Sequence, residues 1–121
     1  METFRKLKVW QKAHQLVLET YRVTKHFPAE ERYGLIQQMR RAAVSISANI
    51  TEGHRRKSKQ EFIQFLAIAH GSSDELTYYC LLAHDLEYAK GMANTLVTLT
   101  DEVGKMLTGL KHHIHKEVHH V

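Results

Sequence analysis

The sequence predicts an all-α protein folded as an antiparallel, up-down-up-down four-helix bundle. Three observations carry that prediction. Four segments space their apolar residues by alternating steps of three and four, the period of one helix face. There is a single proline, and no stretch alternates apolar and polar residues as a strand would. The connections between segments are short, which makes consecutive helices antiparallel neighbours. With 121 residues, 43% of them hydrophobic and 25% charged, the chain is expected to form one domain over 1–121 rather than two.

The first helix is expected at about 4–26. Leu7, Trp10, His14, Val17, Tyr21 and Thr24 repeat the spacing, and Ala13 with Leu16 widens the stripe. Phe27-Pro28 ends it, because a residue before proline is pushed out of the helical region. The second helix is expected at 35–53. Leu35, Met39, Ala42, Ile46, Asn49 and Gly53 line a seam of mostly small side chains, and Gly53 reads as the helix stop. Ser58-Lys59-Gln60-Glu61 is a capping-box pattern that opens the third helix, expected at 59–88. Phe62, Phe65, Ala69, Ser72, Leu76, Tyr79, Ala83 and Leu86 form its stripe. Gly71, mid-helix, reads as a place where a neighbour's backbone comes close. Lys90-Gly91 closes that helix and Asn94 caps the fourth, expected at 95–116. There Leu96, Leu99, Val103, Met106, Leu107, Leu110 and Ile114 face inward, and the ending KHHIHKEVHHV frays.

Charge is divided unevenly. The net charge is +4 and the pI is near 9.3, values that suit an acidic partner, most often nucleic acid. Residues 1–59 carry 13 Lys/Arg against 5 Asp/Glu, whereas residues 60–121 carry 4 against 8. In an up-down-up-down bundle the starts of helices one and three share a pole with the ends of helices two and four. Arg5, Lys6, Lys8, Lys12, Arg55, Arg56, Lys57 and Lys59 therefore collect at one end, with Lys111, Lys116 and the histidines at 112, 113, 115, 119 and 120. These eight Arg and Lys residues are the expected nucleic-acid contacts. Few aromatics are interleaved with them, so backbone or shape recognition is expected rather than base stacking. An alternative is a scaffold whose basic pole docks an acidic protein without nucleic acid.

Other chemistry finds little support. Lone Cys80, in the apolar run YYCLLA, reads as a packed thiol and suits a reducing, cytoplasmic setting. The N-terminus has no signal-peptide core, and no apolar run is long enough to span a bilayer. The histidine tail has i,i+3 and i,i+4 pairs but lacks a nearby carboxylate or thiol aimed with them, so neither metal nor cofactor is expected. Those histidines charge below about pH 6.5 and then strengthen the positive pole. Helical-bundle ribonucleases place a histidine one to two turns after an arginine; Arg22 and His26 are too tightly spaced for that. Triads, phosphate loops and paired carboxylates are missing too, and no enzymatic activity is expected. Asn49, Glu52 and Arg41, with Gln38 and Ser45, read as a structural polar network in and beside the seam. Ile63, Tyr78, Leu81 and Leu82 lie off the main stripe of helix three; a second apolar face there points to a homo-oligomer interface.

The pattern Phe27-Pro28-x-x-Glu31, Gly34-Leu35, Gln38-x-x-Arg41-Ala42-Ala43-x-Ser45-Ile46-x-x-Asn49-Ile50-x-Glu52-Gly53-x-x-Arg56, then Glu61-Phe62 and Gly71-Ser72-x-x-Glu75-Leu76, resembles the 23S rRNA intervening-sequence proteins. The resemblance runs from about Val9-Trp10 to Tyr88. It implies an antiparallel four-helix bundle assembled as a homopentamer, with no established enzymatic activity. A related group, the accessory proteins of diversity-generating retroelements, pairs such a barrel with a basic surface that contacts nucleic acid and a reverse transcriptase. Departures from the pattern are Ser47, often proline, Thr51, often alanine, and His70, where a basic residue is common; the first bears only on a local bend. The expected protein is thus a cytoplasmic, non-enzymatic, homo-oligomeric bundle that binds RNA or DNA weakly through its basic pole.

Overall fold

Four helices account for almost all of the computed structural model, which describes residues 3–119: α1 (Lys8–Thr24), α2 (Leu35–His54), α3 (Lys59–Asp85) and α4 (Ala93–His119). Each packs on its neighbour in sequence and α1 closes the ring against α4, while the diagonal pairs α1/α3 and α2/α4 stay apart. The expected antiparallel bundle is therefore the fold. Its core runs the length of the molecule, from Val9, Ile50, Leu66 and Ile114 at one end to Phe27, Leu35, Ala83 and Leu96 at the other.

The ends of the helices differ from expectation for local reasons. Residues Thr3–Lys6 form a separate 3-10 turn, because Leu7 is extended at φ −70°, ψ 126° and α1 starts after it. The Gln11 amide donates to the Arg5 carbonyl at 2.8 Å and holds that turn against α1. The buried residues of α1 are Val9, Ala13, Leu16, Thr20, Val23 and Thr24: Ala13, Leu16 and Thr24 were expected, but the stripe centres one position off the expected one, and His14 and Tyr21 are exposed. At the far end, α3 stops at Asp85 because Glu87 adopts φ 61°. The N–H of Glu87 then bonds the His84 carbonyl and that of Tyr88 bonds the Ala83 carbonyl, the two bonds of a Schellman ending. α4 begins at Ala93, so Asn94 sits inside its first turn instead of capping it, and runs on to His119. Up to His119 the tail stays helical, because Ile114 is buried, Val118 packs on the core, and Lys59 pairs with Glu117 at 3.1 Å.

Of the two mid-chain glycines, Gly53 and not Gly71 is the site of close helix approach. Gly53 stays helical within α2, and a Cβ built there would lie 2.6 Å from Phe65 Cβ and 2.9 Å from Phe62 Cδ1. It permits α2 and α3 to close on each other, whereas Gly71 is exposed with nothing within 4 Å of its would-be Cβ. Two turns farther along the same seam, Ser45 and Ser72 share a 2.8 Å hydrogen bond from α2 to α3.

The 27–35 connection is held by one carboxylate. Glu31 accepts the N–H of Leu35 at 3.1 Å, closing the open start of α2, and the hydroxyl of Tyr88 at 2.8 Å, reaching across from the end of α3. Gly34 makes room for it: a Cβ there would meet Glu31 Oε1 at 2.9 Å. The Leu35 N–H and then the Tyr88 hydroxyl hold the Glu31 carboxyl below its ordinary value of 4.5, and the same bond raises Tyr88.

Two measurements check these contacts. Overpacking typically costs about 1–3 kcal/mol, against a helix-propensity gain of about 1 kcal/mol from Gly to Ala. Gly53→Ala is thus expected to lower the unfolding midpoint and Gly71→Ala to raise it; equal midpoints for the two would refute the close approach. Because the Glu31 pKa is lowered by folding, its contribution is present above pH 4.5 and fades as pH falls through the folded value. The stability gap between wild type and Glu31→Gln should shrink below pH 4.5, and a gap constant down to pH 3 would contradict the clamp.

Candidate nucleic-acid interface

The pole follows from how the chain is tied at that end. Trp10 Nε1 donates to Thr51 Oγ1 at 2.9 Å, and Thr51 donates in turn to the Ser47 carbonyl at 3.0 Å. This relay fixes the start of α1 to the last turns of α2. The Lys59–Glu117 pair fixes the start of α3 to the end of α4. Phe4 packs edge-on against Trp10 at 5.2 Å, so the turn carrying Arg5 and Lys6 lies over the same end. Ser58 caps α3 by accepting the Glu61 N–H at 3.1 Å, which keeps the Arg55–Arg56–Lys57 link short.

Of the eight expected contact residues, Arg5, Lys6, Lys8, Arg55, Arg56, Lys57 and Lys59 lie at or beside the helix ends of this pole, whereas Lys12 reaches across to Glu102 of α4, and local pairing divides the set further. Lys12 meets Glu102 at 3.3 Å, Arg56 meets Glu52 at 2.9 Å while lying 4.9 Å from the Phe65 ring centre, and Lys59 meets Glu117. Arg5, Lys6, Lys8, Arg55 and Lys57 are exposed and form no ion pair among the described residues. Arg5 rests 6.0 Å from the Trp10 ring centre, within reach of a cation–π contact. Lys111 is turned away from this set: it is half-buried with Nζ 3.2 Å from His70 Nδ1.

His112, His113, His115 and His119 are exposed, His113 lies 3.6 Å from Glu117, and the rings of His115 and His119 are 4.2 Å apart. His120 lies outside the described residues. Among the described residues no three His, Cys, Asp or Glu side chains are grouped to hold a metal. Cys80 is fully buried and its thiol is pushed up to about 12 by burial, so it is not available as a thiolate at neutral pH. Among the described residues no helix is long and apolar enough to cross a membrane.

The sequence from residue 5 to 109 matches the family described as 23S rRNA-intervening sequence protein. The chain belongs to that family. Its fold is also similar to the crystal structure of a protein of unknown function from the S23 ribosomal protein family of Bacteroides thetaiotaomicron, with a TM-score of 0.78. That likeness covers 85% of this chain and 94% of the other at 24% identity. No curated protein matches the chain significantly.

For this member of the intervening-sequence family, several of the motif residues that carried the resemblance are structural. Glu31 and Gly34 close the start of α2, Ser45 and Ser72 join α2 to α3, and Gly53 admits the two phenylalanines. The polar network contracts in a similar way. Asn49 is half-buried and donates to the Ser45 carbonyl at 2.8 Å, within its own helix. Arg41 and Glu52 are exposed, bonding Gln38 and Arg56 along the surface, so they are not core residues as expected. On α3, Tyr78 and Leu81 are 59% and 52% exposed, but Ile63 and Leu82 are half-buried against their own core.

Two features escaped sequence reasoning. Thr51 gives the Trp10 indole its partner, a role visible only once α1 and α2 are paired. Arg40 lies across α1, donating to Thr24 Oγ1 at 2.9 Å and stacking 4.4 Å from the Tyr21 ring centre. The Arg40-Arg41 pair outside the seam was its only trace in the sequence.

Proposed function

We propose that this protein is a non-enzymatic, homo-oligomeric bundle that binds RNA, or DNA of similar charge, through the pole carrying Arg5, Lys6, Lys8, Arg55 and Lys57. The observation that carries the reading is the gathering of five cations without ion-pair partners, from two chain segments, at one end. Such a cluster exchanges counterions for phosphates and needs no base-specific geometry. Lys12, Arg56 and Lys59 contribute less, since each is already neutralised by a carboxylate. The family's own association with 23S rRNA sequences supports RNA ahead of other polyanions.

A non-catalytic role is supported by where the shifted groups lie. Glu31 and Tyr88 satisfy each other, Arg22 is raised by its surface bond to Glu19, and Cys80 is sealed in the core. None is a nucleophile paired with a base. The oligomeric part of the reading rests on Tyr78 and Leu81, large side chains left outside a core that is already closed. The unpaired thiol and basic surface suit the cytoplasm.

The test is an anisotropy titration of a labelled RNA hairpin at low salt. Arg55→Glu with Lys57→Glu is expected to weaken binding by about tenfold or more for every hairpin sequence alike. Both positions are exposed, so folding should be unaffected. Unchanged affinity in the double variant would take the pole out of the binding site.

A further inference from the structure

We propose that the groove between α1 and α2 is a second RNA contact, one that takes an unpaired base and its flanking phosphates from a single-stranded stretch. This rests on the RNA-binding reading above and adds what the basic pole lacks, a surface for stacking. The groove, of about 480 Å³, lies toward the end of the bundle away from that pole. Tyr21, Tyr33, Gln37 and three arginines, Arg32, Arg40 and Arg41, line it, and no acidic side chain does. Aromatic rings interleaved with cations are the composition that single-strand readers use.

The two tyrosines have different parts. Tyr33 is 83% exposed, a ring that its own chain leaves open. Its backbone is pinned on both sides. The Arg32 N–H donates to the Ala29 carbonyl at 3.1 Å and the Gly34 N–H to the Glu31 carbonyl at 3.1 Å. The Leu35 N–H then donates to the Glu31 carboxylate at 3.1 Å. A base meeting this ring has little chain left to order, so less binding energy is lost. Tyr21 is already covered: Arg40 lies 4.4 Å from its ring centre and is held there by Thr24 Oγ1. Tyr33 is therefore the stacking platform, and Arg40 a positioned cation beside it.

Charge and shape select the ligand. Arg32, Arg40 and Arg41 form no ion pair among the described residues. Guanidinium forks match phosphate oxygens two at a time. Gln37, exposed on α2, adds an amide that serves a base edge as donor and as acceptor. A duplex keeps its base faces stacked inside, so only an unpaired base reaches the ring. An acidic protein would meet the same arginines, but a docked helix buries a continuous apolar stripe. Ile36 and Val44 are the only aliphatic side chains lining this groove. Tyr78 and Leu81, the basis of the oligomeric reading, lie on α3 and not on this face.

Anisotropy of a labelled oligouridylate, and of a blunt RNA duplex with no unpaired base, tests this at low salt. Tyr33→Ala is expected to weaken the oligouridylate about tenfold and to leave the duplex unchanged. Tyr33→Phe keeps the ring and should keep wild-type affinity for both. Arg55→Glu with Lys57→Glu weakens both ligands, so a failed pole and a failed groove give different patterns. Unchanged oligouridylate binding in Tyr33→Ala overturns the proposal while leaving the pole intact, as does an equal loss for the duplex. Light scattering of Tyr33→Ala should return the wild-type mass. A loss of affinity that comes with a lower mass would make the groove a contact between copies instead. Polyglutamate that displaces oligouridylate from the Arg55/Lys57 double variant as readily as unlabelled RNA would assign the groove to an acidic protein. Wild-type protein that binds neither RNA removes both readings.

Discussion

The absence of a side chain at Gly53 is the constraint on which the α2/α3 pair depends. With Phe65 Cβ 2.6 Å from where a Cβ would stand, the two helices meet closer than any other residue there would allow. Closeness at that level lets α2 end beside the start of α3, so a four-residue link is enough to turn the chain. It also sets the register in which Ser45 reaches Ser72 two turns away. The short link is where Arg55, Arg56 and Lys57 fall. Packing of small residues and placement of charge are therefore one event in this fold.

The far end is closed by different means. Glu31 joins three elements, accepting from the first turn of α2 and from Tyr88 beyond α3, and Tyr88 also packs on Phe27 at 5.4 Å. Glu87 takes a left-handed conformation, at a cost of about 1–2 kcal/mol for a non-glycine residue, to bring Tyr88 into that position. One end of the bundle is thus knitted by hydrogen bonds between neutral and singly charged groups, while the other carries cations that no carboxylate among the described residues pairs with. That asymmetry is what the proposed function uses.

Much of the architecture was legible in the sequence because a buried helix face leaves a periodic record. The seam of α2 could be read residue by residue, as could the division of charge between halves. The parts that could not be read depend on pairs of residues distant in the chain. Periodicity placed Gly53 and Gly71 each on a face but could not say which had a neighbour. It could not show that Lys12 and Lys59 are paired, because their partners Glu102 and Glu117 lie on α4, whereas Glu52 stands four residues before Arg56 and its pairing is local. The stripe of α1 was centred one position off because Trp10, Val17 and Tyr21 suggested the inner face, whereas Val9, Ala13, Leu16, Thr20 and Val23 are the residues buried. In the histidine-rich α4 tail Ile114 was expected to face inward, but nothing showed that Val118 would join it in anchoring the tail to the core.

The central claim is that five unpaired cations act as one phosphate-binding field, and its most direct measure is the salt dependence of RNA affinity. Each neutralised phosphate contributes about 0.7–0.9 to the slope of log affinity against log salt, so five contacts should give a slope of about −4. Wild-type protein titrated with an RNA hairpin across a series of salt concentrations should show that slope. A slope near zero, with affinity persisting at high salt, would contradict it.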